Sequence, residues 1–112
     1  MENKGKLILT GQAASGGVAR GKVKIVHGIQ DAASFEEGSV LVTKITDPTM
    51  VMMMARSCAI VTDIGGLTSH PAIVSREMGI PCVVNAGNAT SVLSDGQDVI
   101  VDGTEGKVYA AK

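Results

Sequence analysis

Short apolar runs, each three or four residues long, alternate along the chain with glycine- and proline-bearing segments, a spacing that predicts buried strands joined by turns. Leu7-Ile8-Leu9, Val23-Lys24-Ile25-Val26, Val40-Leu41-Val42, Ala59-Ile60-Val61, Cys82-Val83-Val84, Val99-Ile100-Val101 and Lys107-Val108-Tyr109 are the candidate strands. The small-residue stretch from Gly11 to Gly17 reads as a loop, and Asp95-Gly96 and Glu105-Gly106 read as turns. Two segments carry helix punctuation. Asp47 can cap free N–H groups ahead of Pro48, whose missing N–H costs nothing at a first helical position, and the helix runs to about Arg56. A second helix opens at Ser69 or His70, with Pro71 close behind, and stops at Gly79 before Pro81. Asn88 to Leu93 reads as a short helical segment. The alternation predicts an α/β domain with few helices and a sheet of mixed direction.

Composition narrows the function classes. A chain of 112 residues is expected to form one domain, residues 1–112, and 45% apolar with 19% charged residues makes it globular. One Tyr and one Phe leave almost nothing for stacking on single-stranded nucleic acid, and a net charge of -1 supplies no attraction to a polyanion. No apolar stretch approaches the roughly 20 residues that span a bilayer. The opening Met1-Glu2-Asn3-Lys4 has no apolar signal core. Cys58 and Cys82 lie in or beside apolar runs and read as small core residues, so the expectation is a reduced, cytoplasmic protein with neither nucleic acid nor membrane as partner.

Gly65-Gly66-Leu67-Thr68-Ser69-His70 lies between a buried strand and a helix start, and each residue type has chemistry to offer. Two glycines let successive N–H groups turn into one concavity, and the helix opening adds unpaired N–H groups and a positive dipole end. Both favour a dianion such as phosphate. Neutral histidine is a good nitrogen nucleophile near neutral pH, so His70 is a candidate phosphoryl acceptor. Thr68 and Ser69 can donate hydroxyl hydrogen bonds to phosphoryl oxygens, although Ser69 reads equally well as the helix N-cap.

The longer string from Gly65 to Val84, Gly-Gly-Leu-Thr-Ser-His-Pro-Ala-Ile-Val-Ser-Arg-Glu-Met-Gly-Ile-Pro-Cys-Val-Val, resembles the signature of the mobile, or swivelling, phosphohistidine domain of the phosphoenolpyruvate-utilising enzymes. That family includes phosphoenolpyruvate synthase, pyruvate phosphate dikinase and enzyme I of the sugar phosphotransferase system. Thr46-Asp47-Pro48 resembles the Thr-Asp-Pro segment of the synthase branch. Ala14 to Gly21 resembles the family's N-terminal loop, and Asp95-Gly96 and Val101-Asp102-Gly103 its closing turns. The resemblance implies a single compact swivelling domain in which the residue at His70 carries a phosphoryl group between two remote sites. One such site uses ATP and the other phosphoenolpyruvate or pyruvate; both would lie on partner domains or subunits. The same resemblance places Thr68 beside the phosphohistidine; with the chemistry of the loop, Gly65, Gly66 and Thr68 are expected to form the phosphate cradle and Ser69 to be a further phosphate-binding residue. ATP, phosphoenolpyruvate and magnesium are implied on the partners, with no cofactor bound by this domain itself. Pro71 departs from the family pattern, where a small residue usually follows the histidine. A chain this short has no room for either remote site, so turnover would require partners. The start at Met1 and the closing strand near the C-terminus favour a natural small subunit.

Other residues have plainer readings. Met50, Met52, Met53 and Met54 read as core, with an adaptable docking surface as the alternative. Arg76 and Glu77 read as a surface ion pair, with a phosphate contact from Arg76 as the alternative. Asp63 reads as a turn former or as a carboxylate orienting His70, and His27 as an exposed turn residue. Two isolated histidines and two cysteines do not make a metal site. The rival to a carrier is a non-enzymatic regulatory or interaction module on the same fold. A third reading, the small swivelling subunit of a dehydratase, leaves the Gly65 to His70 string unexplained.

Overall fold

A computed structural model describes residues 4–112; Met1-Glu2-Asn3, and the reading made of them, lie outside the described residues. Eight strands form: β1 (Lys4–Thr10), β2 (Gln12–Ser15), β3 (Val18–Val26), β4 (Val40–Thr43), β5 (Ala59–Thr62), β6 (Cys82–Val84), β7 (Asp98–Asp102) and β8 (Lys107–Ala111). Their order is β1-β8-β7-β3-β4-β5-β6-β2. The central strands β3 to β6 run parallel, and the pairs toward both ends are antiparallel, giving the expected mixed sheet. The helices are few and short: α1 (Val51–Arg56), α2 (His70–Met78) and α3 (Ala89–Val92).

The ends of this sheet meet. β1 and β2 stand at opposite ends of the strand order, yet only Gly11 separates them in the chain, so the sheet must curl round on itself. Two backbone bonds of 2.8 Å clasp the closure, Gly11 N–H to the Gly106 carbonyl and Gly103 N–H to the Gly17 carbonyl. Gly103 is required there: a Cβ on it would lie 2.0 Å from the Ser15 carbonyl oxygen. The nine-residue β3 joins the two halves. Its first part pairs antiparallel with β7 and its second, Val23 to Val26, parallel with β4.

The parallel strands β4, β5 and β6 are buried on both faces, as their continuous apolar runs require. Val40 and Val42 point into the core enclosed by the curled sheet, with Val61, Val83, Val99 and Val101. Leu41, Ile60 and Val84 point the other way, onto Met50, Met53 and Met54. Antiparallel half, parallel half and helices therefore stack as successive layers.

Four readings change. Gln12–Ser15 is a strand rather than loop, because its backbone completes the ladder beside β6 although its small side chains carry little strand preference of their own. β3 begins at Val18, not Val23. A 3-10 turn at Ile29–Ser34 was not foreseen, and the segment capped by Asp47 opens as a 3-10 turn, Pro48–Met50, before α1. Three of the four methionines are core, whereas Met52 is 78% exposed. Cys58 and Cys82 are free, and burial pushes the Cys82 thiol up to about 11. Among the described residues no helix is long and apolar enough to cross a membrane.

Candidate functional site

Parallel pairing of β4 with β5 decides what the site contains. Thr43 stands opposite Thr62 in register, so the chain leaving β4 runs beside the chain leaving β5. Backbone bonds of 3.1 Å from Asp63 N–H to the Thr43 carbonyl and from Ile64 N–H to the Lys44 carbonyl continue the pairing past the strand ends. Thr46 thereby comes to His70. Its Oγ1 lies 2.7 Å from His70 Nδ1, and the threonine is 4% exposed. Nε2 of the half-buried ring has no partner among the described residues.

His70 opens α2, with Ser69 at the cap position and Pro71 in the first turn. Gly65 takes φ 110°, which L side chains avoid, and a Cβ there would come within 2.9 Å of Ser69 Oγ. Gly66 has no positive φ and nothing within 4 Å of a Cβ, so only the first of the two glycines uses its conformational freedom. The Ser69 hydroxyl donates to the Gly66 carbonyl at 2.6 Å and makes no capping bond, so Ser69 occupies the cap position while its side chain staples the loop. Thr68 is exposed, with no hydrogen bond to its hydroxyl among the described residues.

Asp63 does not reach His70. Its carboxylate accepts from Thr90 N–H at 3.0 Å and from Thr90 Oγ1 at 2.5 Å, capping α3 from a different element. Arg76 forms no ion pair with Glu77 among the described residues; its guanidinium donates to the Ala14 and Leu67 carbonyls. Asp47 performs the capping foreseen, accepting from Thr49 N–H at 2.8 Å and from the Thr49 hydroxyl. Those bonds hold its carboxyl below the usual carboxylate range, with a smaller contribution from the nearby His70 imidazole. His27 is exposed just beyond β3, as expected.

Thr46 is the residue that sequence reasoning missed. Twenty-four positions separate it from His70, and its place in the Thr46-Asp47-Pro48 segment points to a family likeness and a helix cap without linking it to the histidine. The usable signal was the pair of equal strands, Val40–Val42 and Ala59–Val61: paired parallel, they bring together whatever follows them.

No group of three or more His, Cys, Asp or Glu side chains gathers as a metal site among the described residues. A cavity of about 450 Å³ opens beside Asp47, lined also by His27, Lys44, Asp63 and Thr90, but His70 does not line it. The histidine stands half-buried at the start of α2, beside the exposed Leu67 and Thr68.

The signature of the PEP-utilising enzyme mobile domain matches residues 35–106, which include the strand pair, Thr46 and the whole loop through His70. The chain belongs to this mobile-domain family. It is 51% identical to a probable phosphoenolpyruvate synthase of Archaeoglobus fulgidus over 99% of its own length, and spans 15% of that protein. Among solved structures it is similar to enzyme I, at 40% identity and TM-score 0.60, covering 70% of this mobile domain and 32% of that chain. Aconitase X of Thermococcus kodakaraensis matches at TM-score 0.68 over 93% of the domain and 98% of that chain; at 20% identity this shows the fold alone.

Proposed function

We propose that this mobile domain carries a phosphoryl group on His70 Nε2, between an ATP site and a phosphoenolpyruvate- or pyruvate-type site on other domains or subunits. The observation that carries the reading is the Thr46 bond. When Nδ1 keeps its proton and donates it to Thr46 Oγ1, Nε2 holds the free lone pair. The lone pair attacks phosphorus; the donor's oxygen–phosphorus bond breaks and its electrons leave with the oxygen. Thr46 then accepts a hydrogen bond from the Nδ1–H of the positive ring, in the way that a fixed acceptor steadies a catalytic imidazole. The reverse step breaks the nitrogen–phosphorus bond as an acceptor oxygen attacks. The weak nitrogen–phosphorus bond lets the group move in both directions. Thr68, whose hydroxyl is unengaged, contacts the phosphoryl oxygens, and Gly65, Gly66 and Ser69 shape the cradle. ATP, phosphoenolpyruvate and magnesium belong to the partners, and the domain has no turnover alone.

Support comes from the relatives named phosphoenolpyruvate synthase, of which this chain matches a small part. The test is intact-protein mass after incubation with ATP or phosphoenolpyruvate in an active extract of the source organism. The expected result is an acid-labile gain of one phosphoryl group that is absent from His70→Ala. A wild-type chain unmodified by both donors would make the interaction-module reading the better one.

A further inference from the structure

The last turn of α2 carries a side chain whose partners all lie outside its helix. Arg76 Nη2 donates to the Leu67 carbonyl at 2.6 Å, and Nη1 donates to the Ala14 carbonyl at 3.0 Å. Ala14 belongs to β2, the terminal strand beside β6. One guanidinium thus ties together a helix end, a sheet edge and the loop that precedes His70. The planar fork of arginine suits this; the single ammonium of lysine does not have two donors in fixed divergent directions. Charge-assisted bonds of this kind are also the stronger ones.

The tie has a consequence for the loop's free donors. The Leu67–Thr68 peptide is trans, so the Leu67 carbonyl and the Thr68 N–H lie in one plane and point in opposite directions. Holding the carbonyl therefore sets the direction of the N–H. That N–H has no hydrogen-bond partner among the described residues, and it lies two positions before His70. Apolar packing is not what steadies this peptide, because Leu67 is 47% exposed. Arg76 holds it together with the turn closed by the Ser69 hydroxyl and the Ser69 N–H on the Gly66 carbonyl.

Resting on the carrier reading, we infer that Arg76 is a positioning residue for phosphoryl transfer: through the Leu67 carbonyl it presents the free Thr68 N–H to the phosphoryl group arriving at His70. The amide contributes a hydrogen bond only, and no proton changes owner on its account. Preorganised donors of this kind favour the transition state because they need not be turned at the moment of reaction.

The test uses the full chain and a small chemical donor, so no partner is needed. Potassium phosphoramidate phosphorylates histidine as its nitrogen leaves as ammonia, taking the electrons of the broken phosphorus–nitrogen bond. Wild type, Arg76→Met and Arg76→Lys are compared for the rate of acid-labile phosphoryl gain, for the Thr68 amide signal in proton–nitrogen spectra, and for the thermal midpoint. Arg76→Met is expected to label about tenfold more slowly, a modest fraction of what a misplaced reactive group can cost. Its Thr68 amide signal should shift while the rest of the spectrum stays native. Arg76→Lys should recover part of the rate by reaching one carbonyl. The inference is overturned if Arg76→Met labels at the wild-type rate, or if both variants slow only in proportion to their unfolded fraction. A wild-type chain that takes no label overturns the carrier reading, and this inference with it; normal wild-type labelling with unaffected variants sinks the inference alone.

Discussion

β4 and β5 leave the sheet in the same way and then part company. Val42-Thr43-Lys44-Ile45 and Val61-Thr62-Asp63-Ile64 share a pattern, and in both the buried threonine hydroxyl donates two residues ahead, to Ile45 at 3.4 Å and to Ile64 at 2.7 Å. Beyond that point the first exit closes at once: Asp47 caps the 3-10 turn and Thr46 is buried. The second exit stays open, running through Gly65 with exposed Ile64, Leu67 and Thr68 before α2 begins. In the proposed carrier reading one exit supplies a fixed anchor and the other the acceptor, and the 2.7 Å bond between Thr46 and His70 joins them. A histidine that exchanges a group with other surfaces needs both, since an acceptor fixed by burial alone would be out of reach.

Removing the platform beneath both exits should have the largest effect. Ile60→Ala empties a fully buried position between β5 and the methionines, and should cost about 2–5 kcal/mol in chemical denaturation. A loss under 1 kcal/mol would mean that the helical layer collapses readily onto the sheet. Cutting the link between the exits comes next. Thr46→Val keeps the shape and deletes the hydroxyl, so labelling of His70 by phosphoramidate should slow by about tenfold, equivalent to about 1.4 kcal/mol, while Thr46→Ser retains most of the rate. Equal rates in both variants would show that Nδ1 needs no fixed partner.

The smallest effect concerns the closed exit alone. Asp47 has a carboxyl pKa below its unfolded value, because the Thr49 donors favour the charged form. Its contribution to stability is therefore present above the ordinary carboxylate pKa and is lost as the pH falls through the folded value. Asp47→Asn should lower the thermal midpoint slightly at pH 7 and leave it nearly unchanged at pH 2, as read by scanning calorimetry. A difference that grows toward acid pH would contradict this sign.

Much of this was legible before any coordinates. Val40–Val42, Ala59–Val61 and Cys82–Val84 announce themselves because a strand covered on both faces must be apolar at every position. α2 was legible at both ends, from Pro71 in its first turn to Gly79, whose φ of 71° satisfies a left-handed cap. β2 was not, because Gln12-Ala13-Ala14-Ser15 owes its state to the neighbouring β6 and not to its own side chains. The loop from Gly65 to His70 was legible as the join between a strand and a helix start, while the partners of Asp63 and Arg76 did not follow from their neighbours in the chain. The partners of both come from elsewhere, Thr90 for the first and the Ala14 and Leu67 carbonyls for the second.

The buried parallel strands, both ends of α2, the aliphatic core and the choice of His70 as candidate acceptor follow from local properties: periodicity, caps and residue chemistry. The curl that brings β1 to β2, the hold of Thr46 rather than Asp63 on the imidazole and the brace of Arg76 on the loop arise in the folded molecule. Those outcomes depend on strand register and on hydrogen bonds between residues 9 to 62 positions apart, directions in space that no local pattern encodes.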